Sequence, residues 1–407
     1  MSNQAGKIRF GVAGMGGYAA SIADRVTADA SRPGADFELV AACDPAWKSM
    51  PTRTAALQGR GVEIFDSLDA MLDEAVDVVW LPVPIQLHRP FTEMALARGK
   101  NVVCEKPAAG SIDDVDAMIA ARDQSGRACL IGFQDVYQPA VHALKGRLTR
   151  GELGTPTYAS IIGCWPRPIN YFSRNDWAGR LKVGDTWVLD SPVNNAMAHF
   201  VHLALYLTGP GAETAAVPVS VAAELYRANA IENFDTCTIQ AELDAGLRLD
   251  VAMTHACEQI IDPYLVIVTD RTTINVPLNG VITYTIDGED FAAPMNEGDH
   301  WPIIGAVVRH LRGDTTAPKG TLEMARAHTL LVNATSEAAA VASVPERAKQ
   351  STGSAVVIPG IEEALKTCVA RRQTLHETKL FDWTHPTTAI GCADYSGFAG
   401  PAAGGAS

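Results

Sequence analysis

Three sets of residues in this sequence have the types and spacing for chemistry. The first is Phe10-Gly-Val-Ala-Gly-Met-Gly-Gly-Tyr-Ala19, where Gly11, Gly14 and Gly16 follow an apolar run and Ala19 stands at the third glycine of G-x-G-x-x-G/A. In that pattern the first glycine makes a tight turn, the second lets a pyrophosphate approach the backbone, and the small third residue lets helix and strand pack. The phosphates then meet the positive N-terminal end of the helix. An acidic residue ending the next strand can accept hydrogen bonds from ribose hydroxyls, and Asp44 fits. It lies 28 residues past Gly16, against a usual spacing of about 20; the loop Ser31-Arg-Pro-Gly-Ala-Asp36 absorbs the excess. The competing reading of Asp44 is a turn aspartate before Pro45. The order strand, glycines, helix, strand, aspartate favours a dinucleotide. Asp44 would repel a 2′-phosphate, and Lys48 is the only cation close by, so the expected form is NAD rather than NADP.

The second set ends at Lys106, in Val102-Val-Cys-Glu-Lys-Pro107. It closes an apolar run that reads as a strand, at the carboxyl edge where such sheets bind ligands. Oxidising an alcohol needs a group to receive or stabilise the hydroxyl proton. A lysine ammonium can hydrogen-bond that hydroxyl and favour an alkoxide-like transition state. The alternative is a surface lysine in a turn. The third set is Asp190-Ser-Pro-Val-Asn-Asn-Ala-Met-Ala-His-Phe-Val-His202. Asn195 and His199 are four apart and would share one helix face. His199 and His202 are three apart, a spacing that also suits a metal. With no H-E-x-x-H pattern and no cysteine cluster nearby, no metal is expected.

These residues need a framework, and the first third of the chain supplies one. Apolar runs Ile8–Ala13, Phe37–Cys43, Val76–Leu81, Asn101–Cys104 and Ala128–Phe133 alternate with helical patterns Tyr18–Ala30, Leu68–Glu74, His88–Arg98 and Ile112–Arg122. Ser111 and Asp114 resemble a capping pair for the last helix. Alternating strands and helices predict a Rossmann-type parallel sheet over residues 1–137. From 138 to 385 the pattern changes. A helix over Ala140–Arg150 leads to strands at Thr157–Gly163, Val219–Leu225, Cys237–Leu243, Leu247–His255, Tyr264–Thr269 and Thr272–Val276, with a hairpin corner at Leu243-Asp-Ala-Gly-Leu247. A long helix follows from Leu322 to about Ala342. The expected class is α/β, with a C-terminal α+β domain built on an open, mostly antiparallel sheet. Residues 386–407, rich in Gly and Ala, read as a flexible tail.

Composition narrows the function. The 407 residues carry 33 Lys plus Arg against 46 Asp plus Glu, a net charge of −13, which argues against nucleic-acid backbone binding. Eight scattered cysteines without a C-x-x-C pair read as buried thiols in a reducing compartment. The first residues show no apolar signal core, and no run of about 18 apolar residues appears, so a cytoplasmic protein without a membrane span is expected.

Further motifs carry a resemblance. Val83-Pro-Ile-Gln-Leu-His88 is similar to a T-P-x-x-x-H stretch, Gly99-Lys-Asn-Val-Val-Cys-Glu-Lys-Pro107 to G-K-x-V-x-x-E-K-P, and Gly132-Phe-Gln-Asp-Val-Tyr-Gln-Pro139 to G-F-x-R-R-F-x-P, here without the arginines. Gly151-Glu-Leu-Gly154 fits the link into the second domain. Together they resemble the glucose-fructose oxidoreductase/inositol dehydrogenase (Gfo/Idh/MocA) family, in motifs from about Lys7 to Gly209. The resemblance implies a Rossmann domain followed by a sheet domain, an NAD or NADP cofactor, and oxidation or reduction of sugars, cyclitols and related carbonyl compounds. It also implies site residues. Gly11, Gly14, Met15, Gly16, Gly17, Tyr18, Asp44, Pro84, His88, Glu105, Lys106 and Gln134 would hold the cofactor. Lys106, Asn195 and His199 would act on the substrate, with His199 moving a proton. His202 stands where many relatives have Asp, and Asp190-Ser191-Pro192 replaces a run of glycines. Asp135, where the family more often has a basic residue, is either a hydrogen-bonding site residue or a helix-start carboxylate. His142, His255, His300 and His385 are read as structural.

The leading function is an NAD-dependent dehydrogenase of a sugar, acidic sugar or cyclitol, working as a homo-oligomer, dimer or tetramer, joined through the C-terminal sheet. An NAD-dependent glycosidase that oxidises its sugar transiently would use the same cofactor site. A non-catalytic dinucleotide-binding regulator is the third reading, and retention of Lys106 and His199 counts against it. The segment Cys164–Arg180 reads as a substrate wall. Trp165, Tyr171 and Trp177 would cover a sugar ring, Asn175 and Asp176 would bond hydroxyls, and Arg167, Arg174 or Arg180 would pair with an anionic group. The competing reading is an ordered loop whose aromatics pack between subunits.

Overall fold

The computed structural model describes residues 6–74, 76–296 and 301–403. His300 lies outside them. The chain begins with β1 (Ile8–Ala13), α1 (Gly17–Ala30), β2 (Phe37–Cys43), α2 (Pro51–Gln58), β3 (Glu63–Phe65), α3 (Leu68–Leu72), β4 (Val78–Leu81), α4 (His88–Ala97), β5 (Asn101–Cys104), α5 (Ile112–Ser125) and β6 (Cys129–Ile131). The six strands form one parallel sheet in the order β3-β2-β1-β4-β5-β6. The central strands are apolar and buried on both faces, as helices covering a parallel sheet require. Elements α2 and β3 escape the sequence reading. In α2 only Thr54 and Leu57 are buried, and β3 is three residues long, so neither shows a periodicity.

Then come α6 (Pro139–Thr149), β7 (Pro156–Cys164), a short hairpin of β8 (Lys182–Val183) and β9 (Thr186–Trp187), and α7 (Ala198–Thr208). The sheet strands β10 (Pro218–Arg227), β11 (Thr236–Leu243), β12 (Arg248–Thr254), β13 (Ile261–Thr269), β14 (Thr273–Pro277), β15 (Val281–Ile286) and β16 (Glu289–Pro294) follow. The remainder is α8 (Pro302–Leu311), α9 (Leu322–Ala338), β17 (Ala342–Ser343), the β18 (Gln350–Ser351) and β19 (Val356–Val357) pair, α10 (Ile361–Arg371), α11 (Leu375–Thr378) and β20 (Ile390–Gly391). The large sheet runs β16-β15-β14-β13-β7-β12-β11-β10-β17, with β20 paired to β10. It is mostly antiparallel, but β7 and β12 run parallel side by side. The hairpin at Leu243–Leu247 is present, closed by the Leu243 N–H on the Leu247 carbonyl at 2.7 Å.

Two compact units result. Residues 301–322, which include α8, belong to the first unit with the parallel sheet, and the large sheet with α9 and α10 forms the second. That return of the chain carries no sequence signal beyond the amphipathic pattern of α8. Helix α9 ends at Ala338 rather than near Ala342, because Ala342 and Ser343 pair with β10. In the sheet unit, α10 packs over β7 and β12 in a cluster with Cys164, Ala252, Cys257, Leu365 and Trp383. Residues 386–403 are not the flexible tail their composition suggests. Their backbone is bonded at Cys392, Phe398, Ala399 and Ala402, and Phe398 sets its ring against Trp187 at 5.1 Å. Small residues there permit close approach: a Cβ on Gly400 would meet the Trp187 ring at 3.3 Å. All eight cysteines are buried and unpaired.

Candidate active site

The dinucleotide turn has the geometry its glycines imply. Gly14 has φ +104, a region that disfavours a side chain, and a Cβ there would lie 2.9 Å from the Ala19 Cβ. Its N–H donates to the Cys43 carbonyl at 2.6 Å. Gly16 is the N-cap of α1 and has no side chain to satisfy the first N–H groups, and no acidic residue stands in the first turn. Residues 16–18 are exposed and Met15 is buried. The result is a helix N-terminus open to an anion, behind a turn that only glycine at position 14 can make against Ala19, which fits an NAD pyrophosphate. Gly11 does something else. It lies within β1, where a Cβ would meet Val76 and Met71 at 3.1–3.2 Å, so it serves packing of the sheet. Asp44 is half-buried at the end of β2 and accepts N–H bonds from Met15 at 2.9 Å and Ala46 at 2.8 Å. It thereby fixes the turn it faces. Lys48 is drawn to Asp66 at 3.6 Å.

On the neighbouring strands a cluster forms around Lys106. Glu105, 5% exposed, accepts from the Trp80 indole at 3.1 Å and from the Lys106 backbone at 3.3 Å; burial pushes its carboxyl up. A Cβ on Gly132 would lie 2.8 Å from Glu105 Oε2, so only glycine lets β6 close on this carboxylate. His88, 1% exposed, places its ring nitrogens against the carbonyls of Pro107 at 2.8 Å and Val83 at 2.9 Å. Burial holds its pKa below the usual value. His88 and Glu105 brace the Lys106 turn from its two sides. Pro84 is exposed at the start of that turn, and Gln134 is half-buried, opening the short helical turn Gln134–Tyr137. Asp135 in that turn is 5% exposed, and burial raises its pKa to about 7, offset in part by the Lys106 ammonium. Lys106 itself is half-buried. Trp301 was missed by sequence reasoning: its ring lies 6.4 Å from Tyr18 and 6.2 Å from Trp80, from a part of the chain more than 200 residues further on.

The sheet unit holds the third set. Asn195 and His199 do not share one regular helix. Asn195 lies in a π-helical turn, Pro192–Ala196, closed by Met197 N–H on the Pro192 carbonyl at 2.9 Å, and α7 begins only after it. The Asn195 amide donates to Asp190 Oδ1 at 2.7 Å, while Asp190 Oδ2 accepts from Gly179 at 2.6 Å. His199 is half-buried. His202 is 1% exposed, and burial together with His328 and His199 keeps it far below the usual histidine pKa. His328 Nε2 meets the Val193 carbonyl at 3.0 Å and so ties α9 to the π turn. Among the described residues no group of three His, Cys, Asp or Glu side chains is placed to hold a metal, and no helix is long and apolar enough to cross a membrane.

The Cys164–Arg180 segment gathers its aromatics and arginines. Arg167 lies over Tyr171 at 4.6 Å and Trp165 at 5.4 Å; Arg174 lies over Tyr171 at 3.6 Å and Trp177 at 4.9 Å. Among the described residues neither arginine pairs with a carboxylate, whereas Arg180 reaches Glu232 at 3.8 Å. His255 beneath them is driven to about 3 by burial and by both arginines. The Asn175 Oδ1 accepts from the backbone N–H groups of Trp177 at 3.2 Å and Ala178 at 2.8 Å, and the Trp165 indole donates to Asp262 at 2.9 Å. Asp176 is exposed.

Residues 8–133 match the profile of an oxidoreductase family with an NAD-binding Rossmann fold, Gfo/Idh/MocA. The matched residues span the parallel sheet of the first unit, β1 through β6. It is 27% identical over 224 residues to the D-apiose dehydrogenase of Paraburkholderia graminis, an alignment covering 54% of this chain and 55% of that one. The chain thus spans about half the length of that relative. It is 26% identical to the inositol 2-dehydrogenase of Ralstonia nicotianae over 66% of this chain and 74% of that one. The WlbA dehydrogenase from Bordetella pertussis, solved with NADH and UDP-GlcNAcA, shares the fold at a TM-score of 0.64 and 24% identity, over 80% of this chain and 94% of that one.

The Asp135 carboxyl leads to a stability prediction. Its folded pKa, about 7, lies above the free-carboxyl value of 3.8, so the native state keeps a proton that the unfolded chain has released. Stability from this group is full at acid pH and falls as pH rises toward 7. Relative to the unmodified protein, Asp135→Asn should therefore gain about 2 kcal/mol between pH 5 and pH 8. Thermal melts of both proteins at the two pH values measure this; an equal difference at both would contradict it.

Proposed function

We propose that the protein is an NAD-dependent dehydrogenase of a sugar-like alcohol, with an anionic substituent on its substrate. The observation that carries this reading lies within the first unit: the uncapped, glycine-cradled N-terminus of α1 and the Lys106 cluster occupy the carboxyl ends of neighbouring strands of one parallel sheet. The N–H groups of α1 would hold the pyrophosphate, and Asp44 would receive the adenosine ribose. When bound, the nicotinamide supplies the hydride acceptor. Lys106 would donate a hydrogen bond to the substrate oxygen and stabilise the charge that grows there. His199 would take the hydroxyl proton, and Asn195, held by Asp190, would orient the substrate. The two arginines stacked on Tyr171 without a carboxylate partner suit a carboxylate or phosphate on the substrate. Kinship with dehydrogenases of inositol and D-apiose supports the sugar-like class.

Two measurements test this. Lys106→Met and His199→Ala should each cut turnover about 10²–10⁴-fold while NADH affinity, read by fluorescence titration, stays nearly unchanged. Near-normal turnover of either variant removes that residue from the chemistry. For the cofactor, Asp44→Ser should narrow a strong preference for NAD over NADP by about tenfold or more, since it removes a charge that opposes the 2′-phosphate. An unmodified protein that binds both equally contradicts the reading of Asp44.

A further inference from the structure

Near its C-terminus the chain is bonded into the sheet unit at successive points. Asp113, at the start of α5, accepts the Phe398 N–H at 2.9 Å, and Glu337 in α9 accepts the next one, from Ala399, at 2.9 Å. The Ala402 N–H donates to the Ser336 carbonyl at 2.8 Å. Hydrogen bonds to charged acceptors are among the stronger ones. Between these anchors the segment closes on Trp187 in β9. The Phe398 ring meets that indole edge-on at 5.1 Å, and a Cβ on Gly400 would lie 3.3 Å from it. The Lys182 ammonium stands 3.9 Å from the centroid of the same ring. The backbone of Trp187 is equally confined, because a Cβ on Gly110 would clash with its carbonyl oxygen. Gly110 is held in turn by the Asn333 amide, which donates to its carbonyl at 2.9 Å.

Trp187 leads directly into the residues around Asn195. The Val188 carbonyl accepts from the Asn194 amide at 3.0 Å, and the Val188 N–H donates to the Leu181 carbonyl at 2.9 Å. Leu189 follows with φ +45, a left-handed conformation that a leucine keeps only where the chain on both sides is fixed. Asp190 comes next. Its N–H donates to the Arg180 carbonyl at 3.0 Å, and its carboxylate joins Gly179 to Asn195. The aspartate that fixes Asn195 is thus the third residue past the clamped ring, with the strained leucine between them.

We propose that the C-terminal segment is a strap for the substrate site, with Phe398 and Trp187 as its positioning residues. Anchored on Asp113 and Glu337, the strap fixes the Trp187 ring, keeps Leu189 in its strained conformation, and so holds Asp190 where Asn195 can orient a substrate. Without the strap, Leu189 relaxes and Asp190 turns with it. The proposal rests on the substrate role given to Asn195 above.

Removing the clamp while leaving the fold tests this. In Phe398→Ala, hydrogen exchange of the intact protein, read by mass spectrometry without cofactor or substrate, should quicken about tenfold over residues 186–197, with β10, β11 and β12 unchanged. Gly400→Val, which drives a side chain into the Trp187 ring, should act the same way, and Phe398→Leu should restore most of the protection. With a sugar acid as substrate, KM of Phe398→Ala should rise about tenfold while kcat and NADH affinity change little. Adding Phe398→Ala to Trp187→Ala should change KM little further, because the two act through one contact. Unchanged exchange over 186–197 in both strap variants, or faster exchange with an unchanged KM, overturns the proposal. Failure of the dehydrogenase reading shows separately, as no NADH from any sugar acid with the unmodified protein, while the exchange still decides whether the strap holds Trp187 and the chain after it.

Discussion

A carboxylate buried at the end of a strand must find donors, and in the first unit Glu105 is that carboxylate. Its partners are the Trp80 indole from β4 and the backbone of Lys106, and Gly132 on the β6 side leaves room for it. Losing a donor to a buried charged group costs on the order of 1–3 kcal/mol or more, so this arrangement admits few alternatives. The turn that presents Lys106 is then held from the other side by His88, between the Val83 and Pro107 carbonyls. Lys106 stays half-exposed because its neighbours take the burial.

In the sheet unit Asp190 has a comparable part. One oxygen accepts from Gly179, at the end of the arginine-rich segment, and the other from Asn195 in the π turn. The wall that carries Arg167 and Arg174 and the turn that leads to His199 are therefore joined through a single side chain. His328 adds a second tie from α9 through the Val193 carbonyl. A π turn puts its residues out of step with the helix that follows, and here it presents Asn195 separately from His199.

Much of this was legible in the sequence because local rules dominate there. The glycine turn needs no tertiary context, since a positive φ at Gly14 and a small residue at Ala19 follow from their own sterics. The alternation of strands and helices gave the parallel sheet, and the E-K-P residues placed Lys106 at its edge. What stayed hidden depends on distant neighbours. Trp301 reaches Tyr18 only because the chain returns to the first unit after the large sheet. The burial of His202, the parallel pairing of β7 with β12, and the docking of the Gly/Ala-rich tail on Trp187 are likewise set by residues far off in sequence. Helical spacing alone put Asn195 and His199 on one face; Pro192 and the bond from Met197 to its carbonyl make the turn that separates them.

The central claim is that this chain moves a hydride between NAD and a hydroxyl of a polyhydroxylated, acid-bearing ring. Incubating the purified protein with NAD and a panel of free sugars, sugar acids, cyclitols and aryl glycosides, with absorbance in the reduced-nicotinamide band and product chromatography, tests it directly. The account predicts stoichiometric NADH with at least one free sugar acid and the matching carbonyl product. Cleavage of a glycoside with no net NADH, or no NADH with any member of the panel by a protein that binds NAD, would contradict it.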